Sequence, residues 1–354
     1  MLDLKNKMLI EADNKNISYM GRVDFSDPKS PLIIFAGSNI SIRFKGTAVG
    51  AVIVNHHFYN IMDLGIIIDG KEDKIRFDEN EKEIYLNIAE NLEDTEHEIV
   101  LFKRQDATHY FEFKGFAVDG EVLPAIPKPL RKIECYGDSV SAGAVCEAVD
   151  YTAQCDPENH DGIYDNAWHS YSMITARNLG AEINNVAQGG IAIFDGTGYY
   201  HAPDFIGMES AYDKLCYFPE GKITSWDFKK YIPNVVIFAV GQNDSHNEGH
   251  EDFNINDPEY RLKWKNAYKK IICDLRTKYP KATFVLMLTV LMHDKGWDSA
   301  VSEIADELND KKIHYLKFKR AGKATPGHPR LPEQYEMAQE LTAFISSLGD
   351  SVWE

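Results

Sequence analysis

Three short stretches carry side chains that could do chemistry together. Gly137-Asp138-Ser139 ends one apolar run, Gly241-Gln242-Asn243-Asp244 ends another, and Gly327-His328-Pro329 precedes the last predicted helix. A serine hydroxyl attacks an acyl carbon only when a base takes its proton, and the reaction also needs donors aimed at the developing oxyanion. Ser139 would be the nucleophile, and His328 Nε2 could take its proton. Asn243 Nδ2 and the Ser139 backbone N–H could hold the oxyanion. In "NNVAQGGIAIF", Gly190 offers one more N–H that no side chain obstructs. Taken singly these residues have plainer readings: Ser139 as a helix cap, His328 as a loop histidine, Gly190 as a turn glycine. Their common placement at strand ends favours ester hydrolysis. Asp138 and Asp244 are expected to brace their turns.

The elements that must position these groups fall into two textures. Residues 20–120 contain short β-type runs broken by turn signals, among them "ISIRF", "AVGAVIVN", "HEIVLFKR" and "FEFKGFAV". "IIIDGKEDKIRF" predicts a hairpin about Asp69-Gly70. This is the pattern of an antiparallel sandwich or jelly roll. "VLPAIPKPL", with three prolines in nine residues, suits a stiff linker. The expected division is therefore a β-sandwich over 1–127 and a second domain over 128–354. In the second, strands 132–137, 181–187, 234–240, 283–290 and 312–318 alternate with helices over 166–180, 258–280, 298–309 and from Pro332 onward. Near-continuous apolar strands separated by helices predict a parallel sheet covered on both faces, α/β in class. Ligands of such sheets sit beyond the carboxyl ends of the strands. All three chemical stretches lie in that position or lead into the final helix.

In order and spacing, GDS, a glycine in the next loop, GxND and a late histidine followed by proline resemble the four blocks of SGNH (GDSL-type) hydrolases. The match spans roughly 132–347. With an amino-terminal β-domain of this length and "YGDSVSAG" itself, the chain is most similar to carbohydrate esterase family 2, the acetyl-xylan esterases. The resemblance implies a three-layer α/β/α domain behind a jelly roll. It also implies removal of O-acetyl groups from xylan fragments or other acetylated saccharides, with no metal and no cofactor. It casts Ser139 as nucleophile, Gly190 and Asn243 as oxyanion donors and His328 as base. A tryptophan stacks on the sugar in that family, and Trp297, just after a predicted strand, is the candidate for that role, with core packing as its plainer reading. SGNH enzymes usually carry an aspartate two or three residues before the histidine. Here those positions are Pro326 and Thr325, and "KRAGKATPGHP" holds no acid. The expectation is a Ser–His dyad, with the group that orients the imidazole left open and a main-chain carbonyl as the least demanding choice.

Composition removes other classes. A formal charge of −17 opposes nucleic acid or an anionic membrane as partner. No apolar run is long enough to span a bilayer. "MLDLKNKMLI" lacks the apolar core of a signal peptide, and five scattered cysteines suggest a reducing, cytoplasmic setting. His246 and His250 are four apart, but Gly249 and the wrongly placed glutamate spoil a zinc helix. "GGIAIFDGTG" lacks the spacing of a dinucleotide fold. The expected partner is an acetylated oligosaccharide, with a homo-oligomer left open. Two other readings stand: an esterase or thioesterase for longer acyl chains, and a carbohydrate-binding protein without activity.

Overall fold

The structure, a computed structural model, describes residues 3–56, 61–78, 80–107, 109–217, 223–246, 253–323 and 325–354. The chain divides into two compact units. One is Met1–Lys128 with Asp161–Ile163; the other is Pro129–His160 with Tyr164–Glu354.

The first unit is a sandwich of two antiparallel sheets of six strands each. One sheet runs Val23–Asp24, Leu32–Ile33, Tyr110–Val118, Val49–His56, Glu83–Ala89, with Met8–Glu11 also on Tyr110–Val118. The other runs Glu121–Leu123, Asn39–Gly46, Thr95–Lys103, Asp63–Ile68, Lys71–Arg76, with Ser18–Met20 on Asn39–Gly46. Alternate residues such as Ile40, Ile42 and Phe44 from one sheet meet Ala51, Ile53, Phe111 and Phe113 from the other in one core. The Asp69-Gly70 hairpin joins Asp63–Ile68 to Lys71–Arg76, with both turn residues at positive φ (49° and 80°). That is the backbone a two-residue hairpin loop demands.

The second unit is built on five parallel strands: β1 (Arg131–Gly137), β2 (Ala181–Ala187), β3 (Val235–Ala239), β4 (Thr283–Met287) and β5 (Ile313–Leu316), in the order β2-β1-β3-β4-β5. The central strands β3 and β4 are buried throughout, as their unbroken apolar sequences require. Four longer helices accompany the sheet: α1 (Tyr171–Asn178), α2 (Pro258–Lys278), α3 (Lys295–Leu308) and α4 (Leu331–Ser347). Asp257 caps α2 by accepting from Tyr260 N at 2.8 Å, and Asp294 caps α3 by accepting from Gly296 N at 2.7 Å. Helix α1 is shorter than expected because Ser170 is its extended N-cap; Ala167–His169 before it is a separate 3₁₀ turn. Among the described residues no helix is long and apolar enough to cross a membrane.

The strand order reverses direction between β1 and β3. In open α/β sheets that switch point opens a crevice at the carboxyl ends. Ser139 follows β1 and Asn243 follows β3, so the fold brings both to this crevice.

Candidate active site

The chain leaves β1 in a series of tight turns. Ala142 N donates to Asp138 O at 2.9 Å and Ala144 N to Ser139 O at 3.0 Å, and no helix follows that Ser139 could cap. Gly137 is required here, since a Cβ on it would lie 2.0 Å from Ser141 Oγ. Asp138 accepts from Val140 N at 3.0 Å and so fixes the turn. The Ser139 side chain instead meets His328: Oγ lies 2.8 Å from Nε2.

The other imidazole nitrogen settles what orients the histidine. His328 Nδ1 lies 2.6 Å from Asp156 Oδ2, and His328 N donates to Asp156 Oδ1 at 2.8 Å. A main-chain carbonyl was expected in that place, and that expectation is corrected: the Ser139–His328 pair is extended by a carboxylate. The acid is not in the histidine segment but 172 residues earlier in the chain. Its approach is allowed by Gly327, where a Cβ would stand 2.6 Å from Asp156 Oδ1 and 2.7 Å from Gln154 O. With an anion at Nδ1, that nitrogen carries the proton and Nε2 is left to accept from Ser139. Burial opposes the charge on Asp156. The hydrogen bonds and charge of His328, with Arg330 behind, nevertheless hold its carboxyl well below the usual carboxylate range.

Asn243 sits in the short turn Gln242–Ser245 after β3. Its Nδ2 donates to Ile191 O at 3.0 Å and lies 3.4 Å from Asp138 Oδ2. One amide therefore touches the neighbour of Gly190 and the neighbour of Ser139. Gln188 N donates to Gly137 O at 3.2 Å, which ties the Gly190 loop to the end of β1. Gly190 needs its missing side chain: φ is +73°, and a Cβ would meet Tyr199 Cβ at 2.8 Å. Among the described residues, neither the Ser139 N–H nor the Gly190 N–H has a hydrogen-bond partner, so both are available to an oxyanion. Asp244 accepts from Ile193 N at 2.9 Å through Oδ2 and braces the same loop. Burial pushes Asp138 up to about 6 and Asp244, which also feels Asp138, up to about 7.

Trp297 is not part of this arrangement. It is 1% exposed and lies on the inward face of α3, edge-on to Trp264 of α2 at 5.1 Å and to Tyr260 at 6.2 Å. The expected stacking role is corrected: a pyranose cannot reach a ring enclosed on this scale. Trp297→Ala should cost about 3–5 kcal/mol of stability and reduce hydrolysis of aryl and sugar esters equally, as denaturant melts and paired kinetics would show. The exposed aromatic beside the oxyanion loop is Tyr199. It is 58% exposed, its N donates to Gly190 O at 2.8 Å, and its ring stacks on His246 at 3.7 Å and 15°. Reading the sequence did not find Tyr199 or Asp156; the crowding of Gly327 and Gly190 is the trace each leaves. His250, weighed with His246 as a metal pair, lies outside the described residues. Among those that are described, no group of three or more potential ligand side chains is placed to hold a metal ion.

Known proteins are similar over nearly the whole chain. Residues 19–127 match the "Carbohydrate esterase 2 N-terminal" family model. The cellulase/esterase CelE of Acetivibrio thermocellus is 31% identical over 351 residues, 95% of this chain, though the chain spans only 40% of that protein's length. The acetylxylan esterase / glucomannan deacetylase of Cellvibrio japonicus is 27% identical over 96% of this chain and 91% of its own. Among solved structures, an active-site mutant of a family two carbohydrate esterase from Clostridium thermocellum, in complex with a cello-oligosaccharide, has a TM-score of 0.78. It is 29% identical, and the match covers 94% of this chain and 98% of that one. Residues 19–127 thus match the carbohydrate esterase 2 N-terminal family, and the chain as a whole is similar, in sequence and in fold, to family 2 carbohydrate esterases.

Proposed function

We propose that this protein is a serine esterase that removes O-acetyl groups from acetylated saccharides, xylan fragments among them. The observation that carries the reading is the unbroken chain of contacts Ser139 Oγ to His328 Nε2 and His328 Nδ1 to Asp156. His328 takes the Ser139 proton as Oγ attacks the acetyl carbonyl. The Ser139 and Gly190 N–H groups receive the oxyanion, joined by Asn243 Nδ2 once it gives up its long 3.4 Å contact to Asp138, and the imidazolium returns the proton to the departing sugar oxygen. Water repeats the cycle on the acetyl-enzyme and releases acetate. Asp156 stabilises the imidazolium without taking its proton. Similarity to an acetylxylan esterase / glucomannan deacetylase supports the acetyl-saccharide substrate. A reading as an inactive binding protein is disfavoured by a nucleophile and base already at bonding distance.

The test is acetate release from acetylated xylo-oligosaccharides, with nitrophenyl acetate and octanoate compared in the presence of EDTA. Acetyl esters should be cleaved and octanoate disfavoured. Inertness towards every acetyl ester, or a preference for octanoate, would sink the reading. Tyr199, exposed beside Gly190, is the ring that this function would press against a pyranose. Tyr199→Ala should lose roughly 1–2 kcal/mol of transition-state binding on the oligosaccharide and little on nitrophenyl acetate. Equal losses on the two substrates would remove it from sugar recognition.

A further inference from the structure

Asp156 comes from an irregular segment and has no helix or strand to hold it. The group behind it is Arg330, two residues after the histidine and 0% exposed. Its Nη2 lies 2.9 Å from Asp156 Oδ1 and 3.4 Å from Cys155 O. Its Nε donates to Ala148 O at 3.2 Å, and its Nη1 donates to His328 O. One side chain therefore grips the main chain on both sides of the Asp156–His328 contact and the carboxylate itself. A buried guanidinium must be paired, and its planar fork can serve several oxygens at fixed angles where a lysine would offer a point charge.

We propose that Arg330 is the positioning residue of the catalytic acid–base pair: it fixes the Asp156 carboxylate against His328 and offsets part of that carboxylate's charge at the imidazole. The proposal rests on the esterase reading for its kinetic readouts. Asp156 Oδ1 is shared between His328 N and Arg330, while Oδ2 serves Nδ1. The cation thus stands on the far side of the anion that stabilises imidazolium. The other charges facing this group are few. Asp138 in the serine turn acts on His328. Glu333 on α4 accepts from Arg330 N at 3.0 Å and is itself approached by Arg320 at 3.8 Å. With the guanidinium gone, the carboxylate would hold the imidazolium more strongly, and the base would need a higher pH to become free.

Three measurements test this. Arg330→Gln should lower kcat about 10- to 100-fold with KM nearly unchanged, since small displacements of a catalytic group cost on that scale. It should also move the acidic limb of the kcat/KM profile to higher pH. Asp156→Asn should move the same limb the other way, and Arg330→Lys should return the limb towards its original place while recovering only part of kcat. A folded Arg330→Gln protein with an unmoved limb would overturn the proposal, whatever its kcat, because a purely structural role predicts no displacement. If the glutamine variant does not fold, the lysine variant decides. Loss of kcat with the limb in place supports positioning. Full kcat, or failure to fold, overturns it. NMR titration of the His328 ring reads the same displacement without substrate. An unaltered protein with no esterase activity would strike the functional reading, while the ring titration would still decide for or against Arg330.

Discussion

Asp156→Asn should lower kcat about ten thousandfold, and it should also cost some stability because buried Arg330 loses its carboxylate partner. In a serine–histidine–carboxylate triad the anion keeps the proton on Nδ1 and so leaves Nε2 free to accept from the nucleophile. An amide in its place permits the wrong tautomer, at a cost of about that size in serine proteases. Here Oδ2 is the atom at 2.6 Å from Nδ1. Rotation of the new amide to put nitrogen there would turn the imidazole donor from Nδ1 to Nε2, directly at Ser139 Oγ. Asp156 is 28% exposed in its side chain, so removing its charge leaves no sealed void. Kinetics on an acetyl ester, with circular dichroism on the same sample, checks this. A loss below about tenfold would return the site to a two-residue mechanism. On acidification the sign is set by the depressed carboxyl. Its contribution to stability is complete above the unfolded-state value of about 3.9 and is lost only as pH falls towards its lower folded value. Asp156 therefore remains ionised through mildly acid conditions.

The second large effect is joint. Ser139→Ala and His328→Ala should each lower kcat by about a millionfold, and the double variant should be no worse than either, because nucleophile and base act as a unit. The contact between them is 2.8 Å, and Ser139 is 7% exposed within a turn held by main-chain bonds and by Asp138, Asn185 and Gln334 rather than by the Ser139 side chain, so alanine leaves the turn intact. Kinetics on the three variants, with residual rates measured well above the uncatalysed background, decides the matter. Multiplying losses would show that Ser139 and His328 act through separate steps.

The ends of β1 and β3 were legible because largely apolar runs stop at glycines, and the residues after them are those that acyl transfer needs. Ser139, Asn243 and His328 could be named from type and position alone. Trp297 could have been placed correctly by period. Ala300, Val301 and Ile304 follow it at three, four and seven residues, and all are fully buried. Starting the helix at 298 hid that pattern. Asp294 is the capping residue, and the helix begins at Lys295. Asp156 was beyond such reasoning. It lies in "QCDPENHDG", a polar stretch with no periodicity, and its partner is distant in sequence. Only the tertiary fold brings them together. Tyr199 was hidden for a related reason: exposed aromatics in loops have no pattern to betray which surface they face.

The separation of 172 residues between Asp156 and His328 has a consequence for the order of assembly. Joining two points so far apart closes a long loop of chain, with an entropic cost that must be met by contacts formed elsewhere first. Chain synthesis imposes the same order. A growing polypeptide carries its nucleophile and its carboxylate through 172 further residues of translation before it has a base. Ester cleavage therefore reports the arrival of His328 at Asp156 and Ser139, rather than the first compact state of the second unit.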